Sequence, residues 1–431
     1  MKAKIKVGYL ARVEGEGSLS VDISGGKVTN ASFSIFEPPR LFEAFLRGRH
    51  YGETPDITAR ICGICPIAYQ MSAVHAVEKI LGVKIEGQLR ELRRLIYCGE
   101  WLESHLLHIY FLHLPDFLGC QDAIELGRKN PALVKSALRM KKAGNAIVSL
   151  LGGREIHPVN VKVCGFYRVP EKAELETLAD ELKHGRDAAL KAIKILAKLD
   201  FPDVERDYEF VSLYHPKEYP FNEGTVADNA GLNIPVEQFE DNFREVHRPN
   251  STAYYSVSKR TGGGYLTGPL ARFNLNYGTL SPLAKEAAKA AGIKPGCKNQ
   301  FKSILARAVE VVYAFDEALR IIAQYERPPK PAVDIAAPKA GTGCALTEAP
   351  RGSLYHRYSI DARGKITFAK IVPPTAQNQH VMEDDLKATA QRYINLPRKK
   401  LTWKCEQAIR NYDPCISCSV HFIKLKINRR P

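Results

Sequence analysis

Long apolar runs are missing from this sequence of 431 residues, since no stretch reaches the ~18 consecutive apolar residues that a membrane-spanning helix needs. The first seven residues alternate Lys with apolar residues and lack the apolar centre of a secretory signal. Both absences argue against a membrane protein and predict a cytoplasmic location. Export in complex with a partner that carries the signal stays open as an alternative.

Internal repeats, low-complexity segments and a nucleotide-binding fingerprint are also missing. Gly15 and Gly17 form only a fragment of a Gly-rich pattern, in a predicted hairpin and not between a strand and a helix. The net charge is +15, but the Lys and Arg residues are spread along the chain without a basic block interleaved with aromatic residues. We therefore expect no nucleic-acid partner. A basic surface that faces solvent or an acidic partner subunit fits better.

The length of the chain allows two or three subdomains that share one interior, because about 150 residues per domain is typical. Hydrophobic residues make up 45% and charged residues 25%, as in ordinary folded proteins. A Pro-rich linker at 327–331 marks one boundary. We expect an N-terminal antiparallel sheet region, a helical core, a C-terminal hairpin and metal-ligand region, and a short tail, over residues 1–60, 61–326, 327–421 and 422–431.

Apolar periodicity predicts the elements within these regions. Alternating residues on both sides of Gly25-Gly26 predict a hairpin over 17–23 and 27–36, and a second hairpin is expected over 354–360 and 366–372. From Pro66 the apolar residues recur every three or four positions, and Gly82 marks the helix end. Further helical patterns cover 89–114, 171–199, 299–325, 383–393 and 402–411. The expected fold is α+β and mostly α-helical, with a central helical bundle, small antiparallel sheets and a metal site between the chain ends.

The ten cysteines do not form the spacing of a disulfide framework, and cytosolic thiols stay reduced. Six are isolated and are most often small buried hydrophobes: Cys98, Cys120, Cys164, Cys297, Cys344 and Cys405. The other four form two C-x-x-C pairs, Cys62 with Cys65 and Cys415 with Cys418. This spacing lets two thiolates converge on one metal, and sulfur ligands favour zinc, nickel or iron.

Two simpler interpretations of the pairs are a structural zinc site and a redox C-x-x-C. Zinc ribbons usually place their two pairs some 15–20 residues apart, whereas about 350 residues separate these pairs. Two C-x-x-C pairs in a Gly and Pro context also make a redox dithiol the weaker choice. A site assembled from both ends of a long chain is expected to be buried where these ends meet, as an active site would be.

The motifs around the two pairs resemble those of nickel–iron hydrogenase large subunits. Residues 60–65 read R-x-C-G-x-C, and residues 413–421 read D-P-C-x-x-C-x-x-H. Five further blocks resemble the family and follow its order, at 12–17, 40–43, 152–158, 348–352 and 374–378. The resemblance covers essentially the whole chain. It implies a catalytic subunit that reversibly converts H2 into two protons and two electrons.

The resemblance also implies a Ni-Fe centre and roles for the four cysteines. Cys62 and Cys415 would be terminal nickel ligands, while Cys65 and Cys418 would bridge nickel to an iron that carries cyanide and carbon monoxide. The base that takes the proton of H2 would be a cysteine sulfur or the guanidinium of Arg351.

Five further positions take roles only through the family blocks. Arg351 would lie beside the metals and contact Asp413, although an Arg after Pro is commonly a surface residue. Glu14 would relay a proton from a cysteine sulfur, although a lone Glu in a hairpin is normally solvated. Pro350 and Thr375 would contribute to binding the cofactor.

Glu43 and His421 resemble two ligands of the family's further metal, Mg2+ or Fe2+. Tyr69, Glu16 and Ser104 depart from the residues that the family often has at these positions. These departures put in doubt any detail of proton or oxygen handling taken from membrane-bound enzymes. They favour the soluble NAD(P)-linked enzymes, with the sulfhydrogenase type as the nearest match.

The resemblance implies several partners. We expect an iron–sulfur small subunit that receives electrons, diaphorase-type flavin and NAD(P) subunits, a nickel chaperone and a maturation protease. The protease would remove the tail 422–431 directly after His421, although a basic, frayed terminus is the simpler interpretation of the tail alone.

Two other functions compete with this one. A zinc-binding scaffold or assembly subunit without chemistry is the rival. The related core subunit of energy-transducing NADH dehydrogenase has lost the four cysteines, all of which are present here.

Overall fold

The structure is a computed structural model that describes residues 2–335 and 337–420. His421 and the tail 422–431 lie outside the described residues. The metal-ligand role of His421 and the cleavage after it therefore stay predictions from the sequence. The division at residues 60 and 326 also stays a prediction.

Long helices form the centre of the molecule, where α4 packs against α7 and α13, and α13 packs against α9. The prediction of a mostly helical α+β fold is confirmed. The helices are α1 Phe42–Leu46, α2 Thr54–Thr58, α3 Pro66–Leu81, α4 Gly87–Leu107, α5 Leu114–Phe117, α6 Ala123–Lys129, α7 Pro131–Gly152, α8 Lys172–Glu176, α9 Ala179–Leu196, α10 Phe239–Asn242, α11 Pro269–Asn276, α12 Pro282–Ala291, α13 Ser303–Gln324, α14 Pro374–Arg392 and α15 Arg398–Arg410.

Small antiparallel sheets surround these helices, in the orders β1-β2-β3, β4-β5, β6-β7-β8, β9-β10 and β11-β12-β13. The strands are β1 Lys2–Val7, β2 Gly17–Ser24, β3 Lys27–Ile35, β4 Val161–Lys162, β5 Gly165–Phe166, β6 Val211–Tyr214, β7 Thr225–Asp228, β8 Asn233–Ile234, β9 Phe243–His247, β10 Tyr254–Ser258, β11 Gly341–Ala349, β12 Gly352–Ile360 and β13 Ile366–Val372. The strands of both predicted hairpins are confirmed. No described helix has both the length and the apolar character that a membrane span requires.

The helix predicted from Pro66 is also confirmed, and its ends follow from local chemistry. Pro66 occupies the first turn of α3, where its missing N–H costs no hydrogen bond. Gly82 ends the helix with φ 67°, a left-handed conformation that glycine adopts without a Cβ clash. The helix therefore begins directly after Cys65, as the sequence predicts.

One predicted helix, over 383–393, begins much earlier than expected, at Pro374. Its first turns are buried although they are polar, so they break the apolar periodicity on which the prediction depended. Gln377 donates to the carbonyl of Ser353, and Asn378 donates to the carbonyl of Thr267. In the sequence, buried Gln and Asn side chains whose hydrogen bonds go to a neighbouring backbone cannot be distinguished from the polar residues of a loop.

Two other differences lie in the middle of the chain. The helical pattern over 89–114 is interrupted after α4 by a π-helix at His108–His113, a form often found at functional sites. The region 201–268, inside the predicted helical core, consists mainly of short strands and connecting segments. Sequence periodicity is weak in strands of four or five residues, so these were not predicted.

The packing of the outer elements brings the two chain ends together. Strand β3 packs against α14, where the amide of Phe33 donates to Glu383 at 3.1 Å. The hairpin β11-β12 packs against α3. The N-terminal sheet, the start of α3 and the segment after α15 therefore meet in one place.

Candidate metal centre

The four paired cysteines form one buried cluster, in which their sulfur atoms all lie within 4.8 Å of one another. The sulfur atoms of Cys62 and Cys415 are 3.6 Å apart. Two sulfurs bound at about 2.3 Å to one tetrahedral metal would lie about 3.8 Å apart. Within residues 2–335 and 337–420 this is the one group of three or more His, Cys, Asp or Glu side chains placed to hold a metal.

The first pair is held by its own loop and by the helix that follows it. The sulfur of Cys62 accepts the amide N–H groups of Ile64 and Cys65, each at 3.3 Å. Behind the loop, the carboxylate of Glu100 accepts the amides of Ile67 at 2.6 Å and Ala68 at 3.1 Å. A carboxylate at a helix N-terminus satisfies unpaired amides and the helix dipole. Glu100 was not predicted from the sequence.

The second pair is held by distant parts of the chain. After α15 the chain reverses at Asp413, whose φ of 52° lies in the left-handed region that Asp tolerates better than most residues. The amide of Cys415 donates to the hydroxyl of Thr375 at 2.9 Å. The amide of Ile416 donates to the carbonyl of Glu14 at 2.9 Å, in an isolated parallel bridge.

The Glu14 carboxylate lies beside this second pair. The thiol of Cys415 donates to its Oε2 atom at 3.1 Å, and the amide of Ser417 donates to the same atom at 3.1 Å. Glu14 is partly buried. A carboxylate within hydrogen-bond reach of a thiol and near solvent has the geometry that proton transfer needs.

Arg351 is buried and fixed by Asp413. Its Nε donates to the Asp413 carbonyl at 2.7 Å, and its Nη2 donates to the carboxylate at 3.1 Å. Burial lowers the pKa of Arg351, but the negative charges of Asp413 and the cysteine sulfurs raise it by a larger amount, so the net shift is upward. The Asp413 carboxylate and the sulfurs therefore favour a charged guanidinium at this position, and the identity of the base stays a prediction.

Arg40 joins the two pairs, a contact that the sequence did not predict. Its guanidinium donates to the carbonyl of Ile61, directly before Cys62, and to the carbonyl of Ser417, directly before Cys418. One side chain thus links the two loops that carry the ligands. The sequence showed Arg40 only as part of a family block, without a role.

Comparisons with known proteins agree with this geometry. The family model described as nickel-dependent hydrogenase matches residues 40–136 and 226–421. The chain is 35% identical to sulfhydrogenase 2 subunit alpha of Pyrococcus furiosus, covering 98% of this chain and 100% of that protein. It is 27% identical to NAD-reducing hydrogenase HoxS subunit beta of Cupriavidus necator, covering 98% and 95%.

The chain belongs to the nickel-dependent hydrogenase family.

Solved structures share the fold of this nickel-dependent hydrogenase. An NAD+-reducing [NiFe]-hydrogenase in the H2-reduced state matches with a TM-score of 0.89 at 24% identity, over 97% of this chain and 99% of the other. The Ni-Fe-Se hydrogenase from D. vulgaris Hildenborough matches with a TM-score of 0.81 at 25% identity, over 98% and 100%. The family resemblance is confirmed. The protein is an oxidoreductase that acts on hydrogen, and the comparisons do not favour the zinc-scaffold alternative.

The ionisation of the cysteines in this hydrogenase fits a bound cation. Hydrogen bonds from Cys415, then from Cys418 and Cys65, lower the pKa of the Cys62 thiol well below its usual value. Burial raises the pKa of the Cys415 and Cys418 thiols. A bound cation favours the thiolate form of the sulfurs. Four soft, buried sulfur donors suit the nickel–iron centre that the family implies.

Glu43 and Pro350, two further positions predicted from the family blocks, each accept a hydrogen bond. Glu43 lies on α1 and accepts the amide of Ile371 at 2.9 Å, and burial raises its pKa to about 7. The Pro350 carbonyl accepts from Arg272 at 2.9 Å. Tyr69 and Ser104, which depart from the family pattern, are both buried. All six isolated cysteines are free thiols, and all but the partly exposed Cys297 are buried.

Proposed function

We propose that this chain is the catalytic subunit of a nickel–iron hydrogenase that interconverts H2 with two protons and two electrons. The observation that carries the proposal is a cluster of four buried cysteine sulfurs, assembled from both ends of the chain, in a member of the nickel-dependent hydrogenase family. When bound, a Ni-Fe centre with cyanide and carbon monoxide on iron supplies the Lewis acid that polarises H2.

The chain's own residues supply the proton path. The Cys415 sulfur is the proton acceptor, because its hydrogen bond to Glu14 places an exit carboxylate at 3.1 Å. Glu14 then carries the proton toward solvent. Arg351 holds positive charge next to the thiolates, while Asp413 fixes its orientation through two hydrogen bonds. Thr375 keeps the Cys415 backbone in place.

An electron-accepting partner is required, because we identify no further cluster-binding spacing in the sequence. We propose an iron–sulfur small subunit that docks beside the first cysteine pair. In one segment of the chain, the large apolar side chains of Ile156, Val159 and Tyr167 are 60%, 45% and 59% exposed, and exposed apolar surface often marks a protein interface. Ile156 lies against Gly63, inside the Cys62 loop. This surface would bring a partner cluster close to the sulfurs.

The finer features of the assembly rest on the relatives. One relative is named as NAD-reducing and another as a sulfhydrogenase, and we propose diaphorase-type flavin and NAD(P) subunits for this protein. A Mg2+ or Fe2+ ion near Glu43 would favour the ionised carboxylate. A nickel chaperone and a protease that cuts after His421 complete the proposed set of partners.

Metal analysis of the purified protein tests the proposed function. We expect about one nickel per chain, infrared bands from metal-bound cyanide and carbon monoxide, and H2-dependent reduction of a dye. Zinc alone, without these bands and without H2 turnover, would contradict the proposal. Reduction of NAD(P) by H2 with the isolated chain would contradict the need for partner subunits.

A further inference from the structure

The turn that carries Arg351 is held from behind by a second buried arginine, Arg272 on α11. Pro350 and Arg351 form the tight turn between β11 and β12. Arg272 donates to the Ala349 carbonyl at 2.8 Å and to the Pro350 carbonyl at 2.9 Å. These are the two peptide groups directly before Arg351. A movement of Arg272 therefore changes the position of the turn.

All the donors of Arg272 are used. Besides the two carbonyls, it donates to the Glu348 carboxylate at 3.0 Å, and Glu310 accepts its Nε at 2.8 Å and its Nη2 at 2.9 Å. These contacts engage the five N–H groups of a guanidinium in one orientation. The cation also stacks over Trp101, 4.3 Å from the ring centroid.

Glu310 is equally constrained. It also accepts the hydroxyl of Tyr219 at 2.8 Å, and the His105 Nε2 atom lies 2.9 Å from its other oxygen. Glu310 belongs to the central helix α13. The Arg272 guanidinium is thus anchored to the helical core and presents its outer edge to the Arg351 turn.

The start of α11 touches the same turn. A Cβ atom at Gly268 would lie 2.7 Å from the Arg351 carbonyl oxygen, and Gly268 has a φ of 114°. Glycine is required for this close approach. Two independent contacts from α11, the Gly268 backbone and the Arg272 side chain, therefore converge on the backbone of the turn.

We propose that Arg272 is a positioning residue that sets the location of the Arg351 guanidinium beside the cysteine cluster. The inference rests on the proposed function, because it gives Arg272 a role at the site of that reaction. A buried ion pair that serves only stability has no need to bind the carbonyls before a charged residue of the site. The Arg93–Glu78 pair, bidentate and buried between α4 and α3, is such a structural pair.

The test compares Arg272→Lys with the matched control Arg93→Lys in the purified, nickel-loaded complex. Lysine keeps the charge but cannot reproduce the planar fork. We expect Arg272→Lys to lower kcat per nickel by about tenfold or more, with an unchanged KM for the electron acceptor and altered g-values of the nickel electron paramagnetic resonance signal. Arg93→Lys should lower the melting temperature and leave all three quantities within twofold or unchanged.

A double-mutant cycle shows whether Arg272 acts through Arg351. In an Arg351→Lys background the Arg272→Lys substitution should cost little further activity, because the group that it positions is already replaced. If Arg272→Lys does not fold, Glu310→Gln keeps the shape, weakens the anchor and should show the same pattern with a smaller loss.

Wild-type kcat per nickel and unchanged g-values in Arg272→Lys, or in Glu310→Gln where Arg272→Lys does not fold, would overturn the inference. Full additivity in the cycle would also overturn it. A wild-type complex without nickel or H2 turnover would instead overturn the proposed function, so the two failures are distinguishable.

Discussion

The two cysteine pairs contribute equally to the cluster but are supported in different ways. The first pair depends on neighbours in sequence, because amides of its own loop point at the Cys62 sulfur and α3 begins directly after Cys65. The second pair depends on groups far along the chain, namely the Thr375 hydroxyl and the Glu14 carboxylate. The first is a local motif, while the second is a product of the complete fold.

This difference corresponds to the two proposed tasks within the site, electron transfer and proton transfer. The first pair is supported by its own loop and, from behind, by Glu100 and Arg40, so its outer edge can face a partner. A pair held by long-range contacts lies among the groups that handle the proton and the charge, Glu14 and Arg351. The proposed electron exit is therefore on the side of the first pair, and the proposed proton exit is on the side of the second.

The largest expected effect is the loss of metal when either pair is broken. Cys62→Ser and Cys415→Ser replace a soft thiolate by a poor ligand, so each should reduce nickel from about one per chain to less than about a tenth. Metal analysis by mass spectrometry measures this. Cys297→Ser, outside the cluster, should keep its nickel. A normal nickel content in Cys415→Ser, together with loss of nickel in Cys62→Ser, would show that the two pairs do not contribute equally to metal binding.

Next in size is the effect of Glu14→Gln on proton exchange. The amide can keep the hydrogen bonds but cannot accept and release a proton, so the rate of H/D exchange with solvent should fall by about a hundredfold or more. Nickel content should not change. The exposed Glu16 gives the matched control Glu16→Gln. Equal exchange rates in the two variants would remove Glu14 from the proton path.

A smaller effect concerns how the stability of the protein depends on pH, through a carboxyl on the side of the first pair. Burial, opposed only in part by Lys141, raises the pKa of Glu103 on α4 to about 8. Because the folded pKa exceeds the unfolded one, the burial penalty is absent below about pH 4.5 and grows as pH rises toward 8. Glu103→Gln should therefore gain stability over wild type with rising pH, by about 5 kcal/mol in all.

Urea unfolding at several values between pH 5 and pH 9 measures this difference. Glu16→Gln again serves as the control, since an exposed carboxyl should give a difference that does not vary with pH. A pH-independent difference between Glu103→Gln and wild type would show that the carboxyl near the first pair is already solvated.

The smallest expected effect tests the support of the second pair. Thr375→Val leaves the buried amide of Cys415 without its acceptor, which should cost about 1–3 kcal/mol in the free energy of unfolding. Thr375→Ser keeps the hydroxyl and should stay close to wild type. Chemical denaturation of the metal-loaded protein measures both. Equal stability of the two variants would mean that the Thr375 hydroxyl does not support the pair.

The sequence predicted the local part of the site better than the distant part. The start of α3 at Pro66, its end at Gly82 and both hairpins follow from patterns within a few residues, and the structure confirms them. Arg40 and Arg272 could not be assigned roles, because each acts on backbone carbonyls that lie far away in sequence. Periodicity describes which face is buried and says nothing about such contacts.

The positions predicted from the family blocks fall between the local features, which the sequence predicted, and the distant contacts, which it did not. Glu14, Arg351, Asp413 and Thr375 were selected through the resemblance, and all contact the second pair or each other. Their roles stay predictions until the variants are measured. Glu43 accepts a backbone amide of β13 and does not belong to the sulfur cluster, so its proposed metal stays a prediction from the resemblance.

The bridge between Glu14 and Cys415 also bears on biosynthesis. The two residues are separated by 401 positions, so at about 5–20 residues per second a ribosome makes the second roughly 20 to 80 s after the first. Joining such distant segments costs about 5 kcal/mol of chain entropy and comes late in folding. The nascent protein thus has an interval in which the first pair is exposed and can receive metal before the second pair closes over it.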